Sequence, residues 1–335
     1  MKKFRPIISL VVALTCGFVL QVFINAGIIN GYYDHIMSKM AMFIIAAVSL
    51  NLINGICGQF SIGHAGFMAV GAYASAIITK NPALLLPETV VGMPRYLLAL
   101  IIGGISAAIV GFLVGLPTLR LRGDYLAITT LGFGEIIRVL LINWKFVGGA
   151  SGYFGIKPYA NFITTYLLAM LTVVIIRNFI TSSYGRACIA IREDEIAAAT
   201  MGIHTTKYKI IAFVMAAFFA GLARGIYVQL MQSISPRDFS FLVSIDILLM
   251  VVLGGLGSTS GSIVAAIFLT FATESLRAFQ ALRVIIYSFM LIIIMLFRPQ
   301  GLMGGKELSW DAVQSFFKSK QKQDLTSAKS TEGEG

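Results

Sequence analysis

The sequence predicts an all-α, polytopic membrane helical bundle of about ten transmembrane helices. Three observations carry that reading: the composition, the recurrence of bilayer-length apolar runs, and the way lysine and arginine fall between them. Hydrophobic residues make up 57% of the 335-residue chain, charged ones only 12%, and the mean hydropathy is +0.85. A soluble domain carries roughly twice that charge, because its surface must be solvated.

An apolar run of ~20 residues satisfies its own backbone hydrogen bonds only as a helix. Such runs lie near 6–26, 36–55, 59–79, 96–118, 124–143, 159–179, 207–231, 242–257, 261–280 and 283–300. The first follows Lys2, Lys3 and Arg5, as a signal peptide would. It reads on to about Ile24 without a clean small-x-small cleavage site, so a retained first helix is expected.

Orientation follows from the basic residues. With the N-terminus inside, Lys2, Lys3, Arg5, Arg120, Arg122, Arg177, Arg186, Arg192, Lys207, Lys209 and the lysines from 306 onward are cytoplasmic. About half as many, among them Lys39, Lys80, Arg95, Lys145 and Arg237, fall outside. Both termini are therefore expected in the cytoplasm. The net charge of +11 reads as topology and attraction to anionic lipid, with no nucleic acid needed. Residues 1–305 form the expected transmembrane domain, and 306–335 a polar, disordered cytoplasmic tail.

Inside the apolar runs, Gly103, Ala107, Gly111 and Gly115 put a small residue at every fourth position, a stripe suited to close helix packing. Two glycine-rich breaks interrupt the pattern, Gly55–His64 and Gly254–Gly261. They read either as tight interhelical turns or as discontinuous helices of the kind transporters place near a substrate path. Charges in these runs need partners. Glu135 and Arg138, and likewise Glu274 and Arg277, are spaced to pair on one helix face. Arg224 and Asp246 show no partner in sequence. Cys16, Cys57 and Cys188 lack paired spacing and read as small packing residues, with no disulfide framework or zinc site.

The longest inside loop, 181–206, has structure of its own. Glu193-Asp194-Glu195 suits a helix N-terminus, Ile196–Met201 is a good helix former, and Gly202 is a natural stop. A helix over about 193–203 is too short to span. It leaves Ile196, Ala199 or Thr200, and Ile203 on one face that needs covering. Three acids at its start and no aromatic favour a protein partner over the lipid interface.

Catalytic machinery is missing from the sequence. No phosphate-binding Gly-x-x-x-x-Gly-Lys loop and no dinucleotide fingerprint occur, and His35, His64 and His204 are scattered. A non-catalytic chain without a cofactor is expected; if it pumps, a separate subunit hydrolyses the ATP. Two other classes remain open on the residues alone. One is an ion-coupled transporter acting by itself, with Asp246 or Glu135 as its acid. The other is a membrane-embedded enzyme, which lacks a clustered nucleophile, base or metal ligand.

Five stretches in order carry a family resemblance between about 51 and 304: Gly58–Phe67 with Gly71-Ala72-Tyr73; Arg120–Ile128 with Thr130–Arg138; Gly148-Gly149-Ala150-Ser151-Gly152; Gly185–Glu195 continuing to Gly202; and Met250–Ser258 with Phe297–Leu302. Together they resemble the LivM-type permease subunits of branched-chain amino acid ABC importers. One departure is Val147, where the family has a threonine.

The resemblance implies the ABC importer permease fold in the plasma (inner) membrane, a homologous second permease subunit, two cytoplasmic ATPase subunits and an extracytoplasmic solute-binding protein that delivers leucine, isoleucine or valine. Urea and short-amide permeases share much of the pattern. By the same resemblance Arg186, Glu193, Asp194, Glu195, Ala198 and Gly202 form the ATPase-coupling segment. Gln59, Ser61, His64, Gly255 and Gly257 are the residues expected along the translocation path.

Overall fold

The computed structural model describes residues 5–27, 30–81, 92–121, 123–276 and 301–303, with four isolated positions between 288 and 296, and side chains from residue 14. The described residues are mostly helical: α1 (Arg5–Asn25), α2 (Gly31–Asn51), α3 (His64–Lys80), α4 (Met93–Thr118), α5 (Asp124–Asn143), α6 (Phe162–Thr181), α7 (Ser183–Glu193), α8 (Glu195–Thr200), α9 (Thr205–Met231), α10 (Phe241–Gly254) and α11 (Thr259–Ser275). A π-helical turn, Leu52–Ile56, continues α2. Five of the described helices are long and apolar enough to cross a membrane: Gly31–Ile56, Met93–Thr118, Asp124–Asn143, Phe162–Thr181 and Thr205–Met231.

The centre of the bundle is α3, α4 and α9, held by backbone-to-backbone approach. Gly71 of α3 sits against Gly221 of α9, with no room for a side chain between them. A Cβ on Gly103 would lie 2.6 Å from the Gly71 carbonyl oxygen, and one on Gly111 2.5 Å from the Ala217 methyl. The small-residue stripe of α4 is thus a packing seam, as expected. Where water is absent, such close approach replaces the hydrophobic drive with dispersion and weak hydrogen bonds. Phe67 and Phe213 lock the seam with an edge-to-face contact, centroids 5.3 Å apart.

Around this core, α2 packs on α9, α11, α6 and α10, and α1 rests on α6 with Gly17 against the Tyr166 ring. At one end, β1 (Tyr153–Phe154) pairs antiparallel with β2 (Ser233–Ile234). Lys80 donates to the Phe154 carbonyl at 2.8 Å and lies 4.2 Å over the Tyr153 ring. Burial raises the Tyr153 phenol above its ordinary value, and its oxygen accepts from Asn81 at 3.3 Å.

Helix lengths separate the elements into two kinds. The 27 residues of α9 extend about 40 Å, whereas the 17 of α3 and 14 of α10 reach only about 26 and 21 Å. The run expected to be helical from 59 is irregular up to Gly63, and α3 starts at His64. The expected single helix over 193–203 is two elements: α7 ends at Glu193, and α8 covers only Glu195–Thr200. The reason is Asp194, whose extended backbone interrupts the helix and whose carboxylate begins the next one. The expected segment at 283–300, apart from the isolated positions, lies outside the described residues, as does the tail from 306.

Candidate functional site

The two glycine-rich breaks, 200 residues apart in sequence, meet at the end of the bundle that carries α7 and α8. Asn51, in the last turn of α2, extends its Oδ1 to the Gly257 amide at 2.9 Å. Gly55 and Gly257 touch backbone to backbone; a Cβ on Gly55 would lie 2.9 Å from the Gly257 Cα. Arg192, at the end of α7, donates from Nη1 to the Gly55 carbonyl at 2.9 Å. Its Nε and Nη2 reach Glu193 at 3.1 and 2.6 Å, which holds the fork in place. Gly301 fits against Gly255, and the Leu302 amide bonds the Leu253 carbonyl at 2.7 Å.

The α7–α8 bracket is built to hold a short helix rigid. Asp194 Oδ1 accepts from the Ile196 and Ala197 amides at 2.8 and 3.0 Å. Gly202 adopts φ +84°, and the Ile203 amide returns to the Ala198 carbonyl at 3.1 Å, a left-handed helix stop that glycine adopts without strain. Lys209 of α9, only 2% exposed, pairs with Glu195 at 2.7 Å. Arg186 bonds the Thr181 carbonyl and Ser183 Oγ, closing the α6–α7 corner. Ala198 is buried against the chain itself, while Ile196 and Met201 are 64% and 83% exposed. A cavity of about 240 Å³ opens beside the bracket, lined by Gln59, Phe60, Gly123, Arg192, Asp194 and Lys209 among others.

Cys57 and Cys188, read in sequence as unrelated packing residues, lie side by side, both buried and free. A hydrogen bond from the Cys57 thiol holds Cys188 below the ordinary thiol value.

From this junction the chain turns back into the bundle. Asn54 clamps the returning strand by bonding both the amide and the carbonyl of Ser61, each at 3.2 Å. His64 then meets Ser49 at 3.0 Å. Ser49 precedes Gly55 by six residues, so α3 begins about 9 Å inside the bundle. There the Ala65 amide donates to Ser244 Oγ of α10 at 2.9 Å, and the Ile62 amide to Thr130 Oγ1 of α5 at 3.3 Å. Two short helices therefore start side by side against the middle of α5, where Gly66 packs on Gly134. Irregular backbone survives at such depth only when it is buried or hydrated.

The charged residues expected to pair resolve differently. Glu135 and Arg138 form their pair, at 2.7 Å. Glu274 reaches across to Lys39 of α2 at 3.3 Å; its expected partner Arg277 lies outside the described residues. Arg224 is buried over the rings of Tyr227 and Phe239, 4.4 and 5.5 Å from their centroids, with Asp238 and Asp246 as counter-charges.

The residues expected along a path do not converge on one cavity. Gln59 lines the opening beside α8, Ser61 belongs to the returning stretch, His64 starts α3, and Gly255 and Gly257 belong to the junction. Sequence reasoning missed Asn51, Lys209 and the bridging role of Arg192. The signal for Asn51 was its place in an otherwise apolar run; for Lys209 it was a lysine one turn into a membrane-length helix.

Membrane-length helices, two short helices starting inside the bundle and an irregular strand at depth define a multi-pass membrane transport protein. Residues 32–297 match the family described as the branched-chain amino acid transport system / permease component, and the chain belongs to that family. It is 36% identical over 297 residues to the high-affinity branched-chain amino acid transport system permease protein LivM of Escherichia coli K12, covering 78% of this chain and 68% of the relative. Against LivM of Salmonella typhimurium it is 35% identical over 303 residues, 80% of this chain and 69% of the relative. The permease protein LivH of Escherichia coli K12 is also similar, 23% identical over 292 residues, 79% of this chain and 92% of LivH. No solved structure matches the chain. A permease of this family is a transport subunit and not a catalyst.

Proposed function

We propose that the chain is the membrane-spanning permease subunit of an ATP-binding cassette importer that moves leucine, isoleucine and valine across the inner membrane. It has about ten transmembrane helices, both termini in the cytoplasm, a transmembrane domain over 1–305 and a cytoplasmic tail over 306–335. It works with a homologous second permease subunit, two cytoplasmic ATPase subunits and an extracytoplasmic binding protein.

The observation that carries this reading is the α7–α8 bracket. A helix of six residues is too short to persist alone, yet this one is capped at both ends and tied to α9. Its outward residues, Ile196 and Met201, remain uncovered. Such a projection is suited to a protein partner. The ATPase seats on α8, with Glu193, Asp194, Glu195, Arg186 and Gly202 shaping the docking surface and Ala198 fixing it from within. Arg192 carries the displacement to Gly55, and Gly55 hands it to the α10–α11 break through Gly257. Because α3 and α10 begin together against α5, a shift at that break changes the depth at which the path is closed. Ser61 and His64 move with it.

The pairing of Glu135 with Arg138 at 2.7 Å speaks against Glu135 as the committed acid of a self-sufficient transporter. The test is uptake into membrane vesicles with labelled amino acids and urea, with and without ATP and the binding protein. Uptake of branched-chain amino acids that needs both supports the reading. Uptake of urea alone makes the chain an amide-type permease, and gradient-driven uptake by the isolated chain removes the importer.

A further inference from the structure

The long helices present two different kinds of uncovered face. On α4 the outward residues are apolar throughout its middle: Ile101, Ile105, Ile109, Phe112 and Leu113 are all well exposed. On α6 the outward Leu167, Leu171 and Ile175 repeat that pattern. Lipid tails solvate such faces.

On α5 the pattern breaks. Tyr125, Ile128, Ile136 and Leu140 are 74%, 67%, 54% and 64% exposed, but Glu135 and Arg138 stand among them with side chains 29% and 28% exposed. The pair sits at the twelfth and fifteenth positions of a 20-residue helix, so Glu135 lies about 17 Å from its start and about 12 Å from its end. Arginine in a lipid-facing helix reaches for the headgroups. Here Arg138 points one turn the other way and is clipped to Glu135. A half-exposed ion pair at that depth is expensive in hydrocarbon. Gly132 lies nearby with no atom within 4 Å of where its Cβ would be, leaving a notch through which another helix can approach closely.

We infer that the α5 face bearing Ile128, Gly132, Glu135 and Ile136 is covered by a homologous permease and not by lipid. The inference rests on the two-permease reading above. It commits to a homologue because this chain is similar to both LivM and LivH of one organism, Escherichia coli K12. The surface is continuous with the half-helix starts: Gly134, beside Glu135, is the residue on which Gly63 and Gly66 pack.

The test places the photo-crosslinking residue benzoylphenylalanine at Ile128 or Ile136 of α5, and at Ile109 of α4 as the lipid-facing control, in the full transporter in native membranes. Irradiation at either α5 position is expected to capture the homologous permease, and at Ile109 lipid alone. As a second readout, the double variant Glu135→Leu/Arg138→Leu is expected to lower co-purification of the homologue at least fivefold at unchanged abundance of this chain. Capture of lipid alone at both α5 positions, or of a second copy of this chain, overturns the inference. If ATP-dependent uptake and co-purification of the homologue are intact in that case, the importer reading stands and only the surface is wrong. If no homologue is present in an active preparation, both fall.

Discussion

Two regions of this permease use glycine to bring backbones together, and they do so for different ends. In the α3–α4–α9 seam, Gly71, Gly103 and Gly221 let three helices touch backbone to backbone, with Gln229 of α9 donating to Thr79 Oγ1 of α3 at 2.8 Å. At the junction, Gly55 and Gly257 let two chain breaks touch so that Asn51 and Arg192 can reach backbone groups at 2.9 Å. The seam is held by close packing, which has one good arrangement. The junction is held by a few directional hydrogen bonds, each worth about 0.5–1.5 kcal/mol net, so it can give way without unpacking the core. The proposed importer would use both: a body that stays put and a joint that moves.

That contrast is broken most severely at the seam. Gly71→Leu has no room, since its Cβ alone would meet the α9 backbone. It is expected to cost about 3 kcal/mol or more and to remove most folded protein, read as membrane abundance and thermal stability in detergent. A stable Gly71→Leu protein would mean that the seam is not close-packed.

At the junction the effects are smaller and more local. Glu195→Ala leaves the Lys209 ammonium buried without its carboxylate. Because Glu195 itself is partly exposed, the loss is reduced to about 1–3 kcal/mol. Hydrogen exchange should rise across α8 and the first turn of α9 but not across α3 and α4, with transport lost. Gly202→Val forces a β-branched residue to φ +84°, costing about 1–2 kcal/mol. Normal membrane insertion with lost ATPase co-purification and lost transport is expected; unchanged transport would remove Gly202 from the proposed coupling segment.

Much of the seam was legible in the sequence. The stripe Gly103, Ala107, Gly111, Gly115 needed only helical periodicity to be read as a packing face, and the start and end of α4 and α9 fell within three residues of the apolar runs. The junction was legible only as two unusual stretches. Hydropathy could not distinguish the irregular stretch at 58–63 from a first helical turn, because it runs straight on into the apolar sequence of α3. Nor could it join Gly55 to Gly257 or Arg192, since those contacts depend on how α2, α7 and α10 are arranged. The three acids at 193–195 read as one helix start because charge marks an N-terminus but does not say which carboxylate caps it. Asp194 does, and Glu193 serves Arg192 instead.

On the proposed coupling route, Arg192 is the connection between the α7–α8 bracket and the glycine breaks. Arg192→Lys keeps the charge but loses the planar fork that reaches Gly55 and Glu193 at once. ATPase co-purification and ATP hydrolysis should persist near the unsubstituted level in reconstituted vesicles while uptake per ATP falls about tenfold, which converts to about 1.4 kcal/mol of lost coupling. Uptake per ATP at the unsubstituted level would contradict the account, because movement would then be reaching the path by another route.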